Sequence, residues 1–180
     1  MRAFSRKLNH LEQYIIPFGG LKPGHHAFDF VVDNVFFDQF EHSEIKSGTV
    51  AVHLDMEREE RMMVLDFSIF GKVTLPCDRC LEPVSIAVEG KEKLVVKLGD
   101  HYEEESELVV IIPEDDKLLD ISSYLYEYLH LLLPLKRVHP DDENGKSLCN
   151  PEVMEKLKAL AEQHVPDPRW EALKQLKNNS

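Results

Sequence analysis

The chain has 180 residues, 43% of them apolar, which suffices for a single domain whose core needs no disulfides. Its 33 acidic against 21 basic residues give a formal net charge of -12, which repels phosphate backbones and disfavours broad electrostatic binding to nucleic acid, leaving only local basic patches to touch RNA. The basic segment Met1 to Leu8 leads into no apolar run, no stretch reaches membrane-span length, and only three cysteines are present, so the expected setting is a reducing cytoplasm with no membrane partner.

In chain order, residues 1–24 read as an irregular N-terminal segment broken by Gly19, Gly20, Pro23 and Gly24. The apolar run Phe28 to Val32 follows, then Phe36, Phe37 and Phe40, which would pack a short helix or turn onto a sheet. From Gly48 to Leu98 the pattern has period two, the mark of half-buried strands. Val50, Val52, Leu54 and Met56 lie on one face, and Glu57 to Glu60 read as a hairpin tip. Met63, Leu65, Phe67, Ile69, Val73 and Leu75 return on the inward face, with Gly71 expected to be a bulge or bend. After Cys77 to Glu82, the inward set is Val84, Ile86, Val88, Leu94, Val96 and Leu98. Strands of this length accumulate twist, so the expected fold is α+β: a curved, barrel-like antiparallel sheet with one buried helix and C-terminal helices. Residues 25–112 would be mainly strand and 120–177 mainly helix, in one domain.

Asp100 to Asp120 reads as an acidic linker around the strand Leu108 to Ile112, with Glu103 to Glu105 as solvated surface. Asp120 is placed to cap a helix on which Ile121, Leu125, Tyr128, Leu129 and Leu132 recur at helical spacing. Tyr124, Leu131 and Leu133 widen its apolar face, which predicts burial on two sides until Pro134 stops it. A polar loop with His139, Asp141 to Gly145 and Cys149 leads to a helix from about Pro151 to Gln163. A last short helix, Arg169 to Lys177, follows.

The chemistry-bearing residues are few. Cys77 and Cys80 form a Cys-x-x-Cys step, and His139 and Cys149 would complete a tetrahedral N/S set for a structural zinc. The alternatives are inert buried thiols, the blander reading that spacing alone favours, and a redox dithiol. A reactive dithiol ordinarily opens a helix, whereas here Pro83 and a strand pattern follow. Glu127 interrupts an apolar helix, so it is expected to be a buried structural clamp paired with Arg79, Arg137 or His139. Asp78 and Arg79 read as solvated turn polarity. No phosphate-binding glycine loop, nucleophile elbow or zinc-protease helix is present in the sequence.

Cys77-Asp78-Arg79-Cys80-Leu81-Glu82-Pro83, then Asp120-Ile121 leading into Glu127-Tyr128-Leu129-His130-Leu131-Leu132-Leu133-Pro134, form the first part of an ordered set completed by His139, Cys149 and Asp167-Pro168-Arg169-Trp170-Glu171-Ala172-Leu173. That set resembles the YceD-like family of bacterial and plastid large ribosomal RNA subunit accumulation proteins. The resemblance implies a cytoplasmic, non-enzymatic factor for synthesis, processing or stability of 23S ribosomal RNA. Cys77, Cys80, Glu127, Pro134, His139 and Cys149 fall on the family's signature positions, for which the resemblance supplies no molecular role. The expected partners are basic large-subunit proteins or assembly factors, to which the net charge would steer the chain. A 23S precursor held by Lys136, Arg137, Arg169, Trp170, Lys174 and Lys177 is the other route. A zinc- or thiol-dependent enzyme acting on RNA or redox partners is the reading from a different class.

Overall fold

The computed structural model describes residues 11–162. Its strands are β1 (Ile15–Ile16), β2 (Gly24–Val32), β3 (Ser47–Arg58), β4 (Met62–Pro76), β5 (Pro83–Gly99), β6 (Glu103–Ser106), β7 (Val109–Pro113) and β8 (Leu119–Asp120). The helices are α1 (Asn34–Phe37), α2 (Ser122–Leu131) and α3 (Pro151–Glu162). Contacts divide the chain into two compact units: unit 1 comprises 1–76 and 83–137, and unit 2 comprises 77–82 and 138–180.

Unit 1 is a mixed α+β assembly built on a six-stranded sheet of order β2-β3-β4-β5-β7-β6. The period-two pattern fixes it. Val50, Val52, Leu54 and Met56 on β3 are buried, as are Met63, Leu65, Phe67, Ile69, Val73 and Leu75 on β4. On β5, Val84, Val88, Leu94 and Val96 are buried, with Ile86 and Leu98 partly so. A one-residue slip would turn every one of these to solvent, which pins the register. Pairing runs without a break from Ser47↔Thr74 to Arg58↔Met63 and from Met62↔Lys97 to Pro76↔Pro83.

Gly71 is therefore not a bulge. It sits opposite Val50 in regular register, where an added Cβ would lie 2.4 Å from the Thr49 carbonyl oxygen and 2.6 Å from the Val50 Cα. The glycine serves the close approach of β3, a requirement that alternation alone does not reveal.

Three further features go beyond the sequence expectation or differ from it. The sheet is open, because its order ends at β2 and β6, so no barrel closes among the described residues. It is not wholly antiparallel: β7 runs parallel to β5, from Val95↔Val109 to Gly99↔Pro113. Glu103 to Glu105 are exposed as expected, but the acidic linker that holds them forms an outer strand, β6, paired antiparallel to β7. A row of carboxylates on an edge strand blocks further strand addition.

The core lies on one face of the sheet. Asp33 caps α1 by accepting from the Val35 and Phe36 amides, which turns Phe36 and Phe37 inward. Tyr14 packs edge-on against Phe36 at 4.9 Å between ring centroids and donates its hydroxyl to the Val31 carbonyl at 2.8 Å. The N-cap of α2 is Ile121, which makes no side-chain cap bond; Asp120, expected there, lies one residue earlier and accepts from the Ser122 amide at 2.8 Å. Ile121, Leu125, Tyr128 and Leu129 are buried, and Tyr128 meets Phe67 of β4 at 5.3 Å. Leu131 is 72% exposed, so α2 buries one face and not two. No helix among the described residues is long and apolar enough to cross a membrane.

Candidate metal centre

The ladder between β4 and β5 ends at the pair Pro76↔Pro83, and neither proline has an N–H to extend it. The six residues Cys77–Glu82 between them close on themselves: the Cys77 amide donates to the Glu82 carbonyl at 2.9 Å, and the Leu81 amide donates to the Cys77 carbonyl at 3.0 Å. Closing so tightly places Leu81 in the left-handed region, at φ 62°. The turn presents Cys77 and Cys80 together, both buried.

The loop that follows Val138 supplies the other two donors. Asp142 organises it, its carboxylate accepting from the Asn144 amide at 2.9 Å and the Lys146 amide at 2.8 Å, with Gly145 at φ 76°. Asp141 bridges to Ser147, and the Leu148 amide donates to the Pro140 carbonyl at 3.1 Å. The Ser147 hydroxyl then accepts from the Cys149 amide at 3.2 Å and from the Arg79 guanidinium at 3.4 Å. Asn150 caps α3 through the Glu152 amide at 2.9 Å, and its side-chain amide reaches the Glu82 carboxylate at 2.6 Å.

These supports bring all four candidate ligands to one point. Cys77 Sγ lies 3.7 Å from Cys149 Sγ, and Cys80 Sγ lies 3.4 Å from His139 Nδ1. Every donor atom of Cys77, Cys80, His139 and Cys149 is within 4.8 Å of the others. A tetrahedron with zinc–sulfur bonds of about 2.3 Å and a zinc–nitrogen bond of about 2.05 Å has edges of roughly 3.8 Å between sulfurs and roughly 3.5 Å from sulfur to nitrogen. The donor set fits such an ion. All three cysteines are free, and no sulfur pair is joined.

The electrostatics favour a ligand at Cys77. Burial pushes its thiol up, but the backbone N–H groups of Cys80, Arg79 and His139, together with the Cys80 side chain, outweigh burial and bring it down to about 6. Two of these amides belong to the turn and the third to the loop after Val138. Because the turn joins two strands, no helix N-terminus activates the pair as it would in a dithiol oxidoreductase. Three soft sulfurs and an imidazole match zinc or a similar thiophilic ion, whereas magnesium and calcium demand oxygen donors.

Glu127 does not behave as a clamp. It is exposed on α2 and lines a groove of about 450 Å³ with Tyr102, Tyr124, Tyr128 and Glu104. Burial and then the Glu92 carboxylate raise the Tyr128 phenol, while a hydrogen bond to Glu104 and then burial raise that of Tyr102. Arg137 pairs with Glu44 at 2.6 Å, and Lys136 is exposed. Arg79 is more than solvated turn polarity, since it is half-buried and bonded to Ser147. Arg169, Trp170, Lys174 and Lys177, with the expected helix that carries them, lie outside the described residues. Asp142 and Ser147 are the positions the sequence reading missed as organisers. The Asp-x-Asn-Gly step was the available turn signal, while nothing local marks Ser147.

The chain matches a family model described as large ribosomal RNA subunit accumulation protein YceD over residues 65–177, a stretch that contains all four donors. No curated protein and no solved structure matches it.

Proposed function

The chain belongs to the YceD family of large ribosomal RNA subunit accumulation proteins, and from that membership we propose that it supports synthesis, processing or stability of 23S ribosomal RNA as a binding factor without catalysis. Family membership carries this reading, since the family is named for the accumulation of an RNA and not for a reaction. The cysteine cluster supports the non-catalytic part. Catalytic zinc sites keep one position open, whereas four converging protein donors leave none.

The partner we propose is protein. A net charge of -12 opposes naked RNA and attracts basic large-subunit proteins or the assembly factors that carry them. Exposed Glu103, Glu104, Glu105 and Glu107 concentrate that charge at one end of the sheet. Of the six residues that would form an RNA patch, Arg137 is engaged by Glu44, which weakens that route.

The test is a deletion strain. The 23S:16S ratio should fall and recover when the full chain is restored; an unchanged ratio removes the ribosomal reading. Pull-down with the full chain at low salt should then enrich basic large-subunit proteins over isolated 23S fragments.

A further inference from the structure

The described residues of unit 2 bury almost nothing apolar. Among its described residues only Cys77, Cys80 and Cys149 are buried, while Val153 and Met154 reach intermediate burial and Leu148, Leu157 and Leu160 are exposed. Ordering a loop costs conformational entropy at every residue, and burial of apolar side chains is the usual compensation. Here the buried side chains are sulfurs, and they surround one imidazole. Inert core thiols would have no reason to converge from segments 59 and 72 residues apart onto a single His. A disulfide would join two sulfurs and leave the third sulfur and the imidazole without a purpose.

We propose that Cys77, Cys80, His139 and Cys149 bind one Zn(II) ion, and that this ion does for the described part of unit 2 what buried apolar side chains would otherwise do, so that the loop from Val138 to Asn150 folds only with metal. Each thiol that binds releases one proton to solvent as its sulfur–zinc bond forms, while the imidazole binds neutral. Three thiolates and one dication leave a net charge of minus one. The surroundings accommodate it: the Arg79 amide approaches Cys77 Sγ at 3.5 Å, and the Arg79 guanidinium is held close by through Ser147. Such outer partners are what a metal site uses to fix and charge-balance its ligands. The turn from Cys77 to Glu82 and the Asp142-organised loop are then the two halves of one metal-nucleated fold. This inference does not rest on the ribosomal reading and would survive its failure.

The test uses the full chain purified without chelator. Elemental analysis should give one equivalent of zinc. Replacement by Co(II) should produce the visible bands of a tetrahedral ion together with thiolate charge transfer. Cys149→Ser and His139→Ala should each weaken Zn(II) binding by more than the roughly 10–100-fold that loss of an outer partner costs. In the unaltered protein a strong chelator should render all three thiols reactive and open the loop 138–150 to protease, both reversed by added Zn(II), with the β-sheet circular dichroism retained. Should the variants fail to fold, this wild-type cycle decides. Protein that takes up neither Zn(II) nor Co(II), an octahedral Co(II) spectrum, or thiol reactivity and cleavage unchanged by chelator would overturn the proposal. One equivalent of iron in place of zinc would overturn the identity of the ion.

Discussion

Leu81 is the single non-glycine among the described residues with a positive φ, and its side chain is 78% exposed, so it gains little from packing. A left-handed conformation costs an ordinary residue about 1–2 kcal/mol, whereas glycine adopts it freely and loses roughly 0.5–1 kcal/mol of unfolded-chain entropy instead. Leu81→Gly should therefore stabilise the turn by about 0.5–1 kcal/mol, read as a higher melting temperature. A lower one would mean that the leucine makes a contact worth more than its backbone strain. Glu127 illustrates the opposite lesson. Ser123, Glu127 and Leu131 form one stripe of α2, and all three are exposed, while Tyr124 beside them packs partly against the core. Apolar neighbours at helical spacing make the carboxylate look buried. Glu127→Gln should shift stability by no more than about 0.5 kcal/mol in thermal denaturation, as surface substitutions do.

At the scale of elements, alternation revealed what it encodes: β3, β4 and β5, their inward faces and the hairpins between them were all legible. Pairing between strands that are not hairpin neighbours was not. Nothing in Val109 to Pro113 says that it lies parallel to β5, and Glu103 to Ser106 lacks the apolar alternation that marks a strand, because an edge strand with four exposed residues has no buried face to encode. Strand length does not reveal where the sheet stops either: its order ends at β2 and β6, and edges are not encoded by alternation. Of the candidate site, the four donors were legible from residue type and order, while the turn amides and Ser147 that hold them depend on folding. At Gly71 the sequence suggests a bulge or bend, and the unbroken register rules out the bulge. With the β3 backbone 2.4–2.6 Å from any added Cβ, Gly71→Ala must displace a strand, and the cost should be about 1–3 kcal/mol in denaturant unfolding. An alanine tolerated without loss would show that β3 and β4 spread apart easily.

For the whole molecule, the charge of -12 is the property most open to direct measurement. Association with a basic large-subunit protein should slow as salt rises, because the field is screened over roughly 10 Å at 0.1 M. Reversing Glu103, Glu104, Glu105 and Glu107 should slow it at low salt, whereas reversing Arg169, Lys174 and Lys177 should matter little. If the basic reversals abolish binding to naked 23S fragments instead, the chain reads RNA directly. The division into units has a consequence in time. Unit 2 is discontinuous: its first six residues interrupt the longest hairpin of the sheet, and Cys149 arrives 72 positions after Cys77. At about 5–20 residues per second, synthesis completes that interval in roughly 4–14 s, far longer than hairpin formation takes. If the proposed Zn(II) site forms, each round of translation would leave the Cys77 and Cys80 thiols waiting as a half-site, open to oxidation or to a competing ion, before His139 and Cys149 have been made.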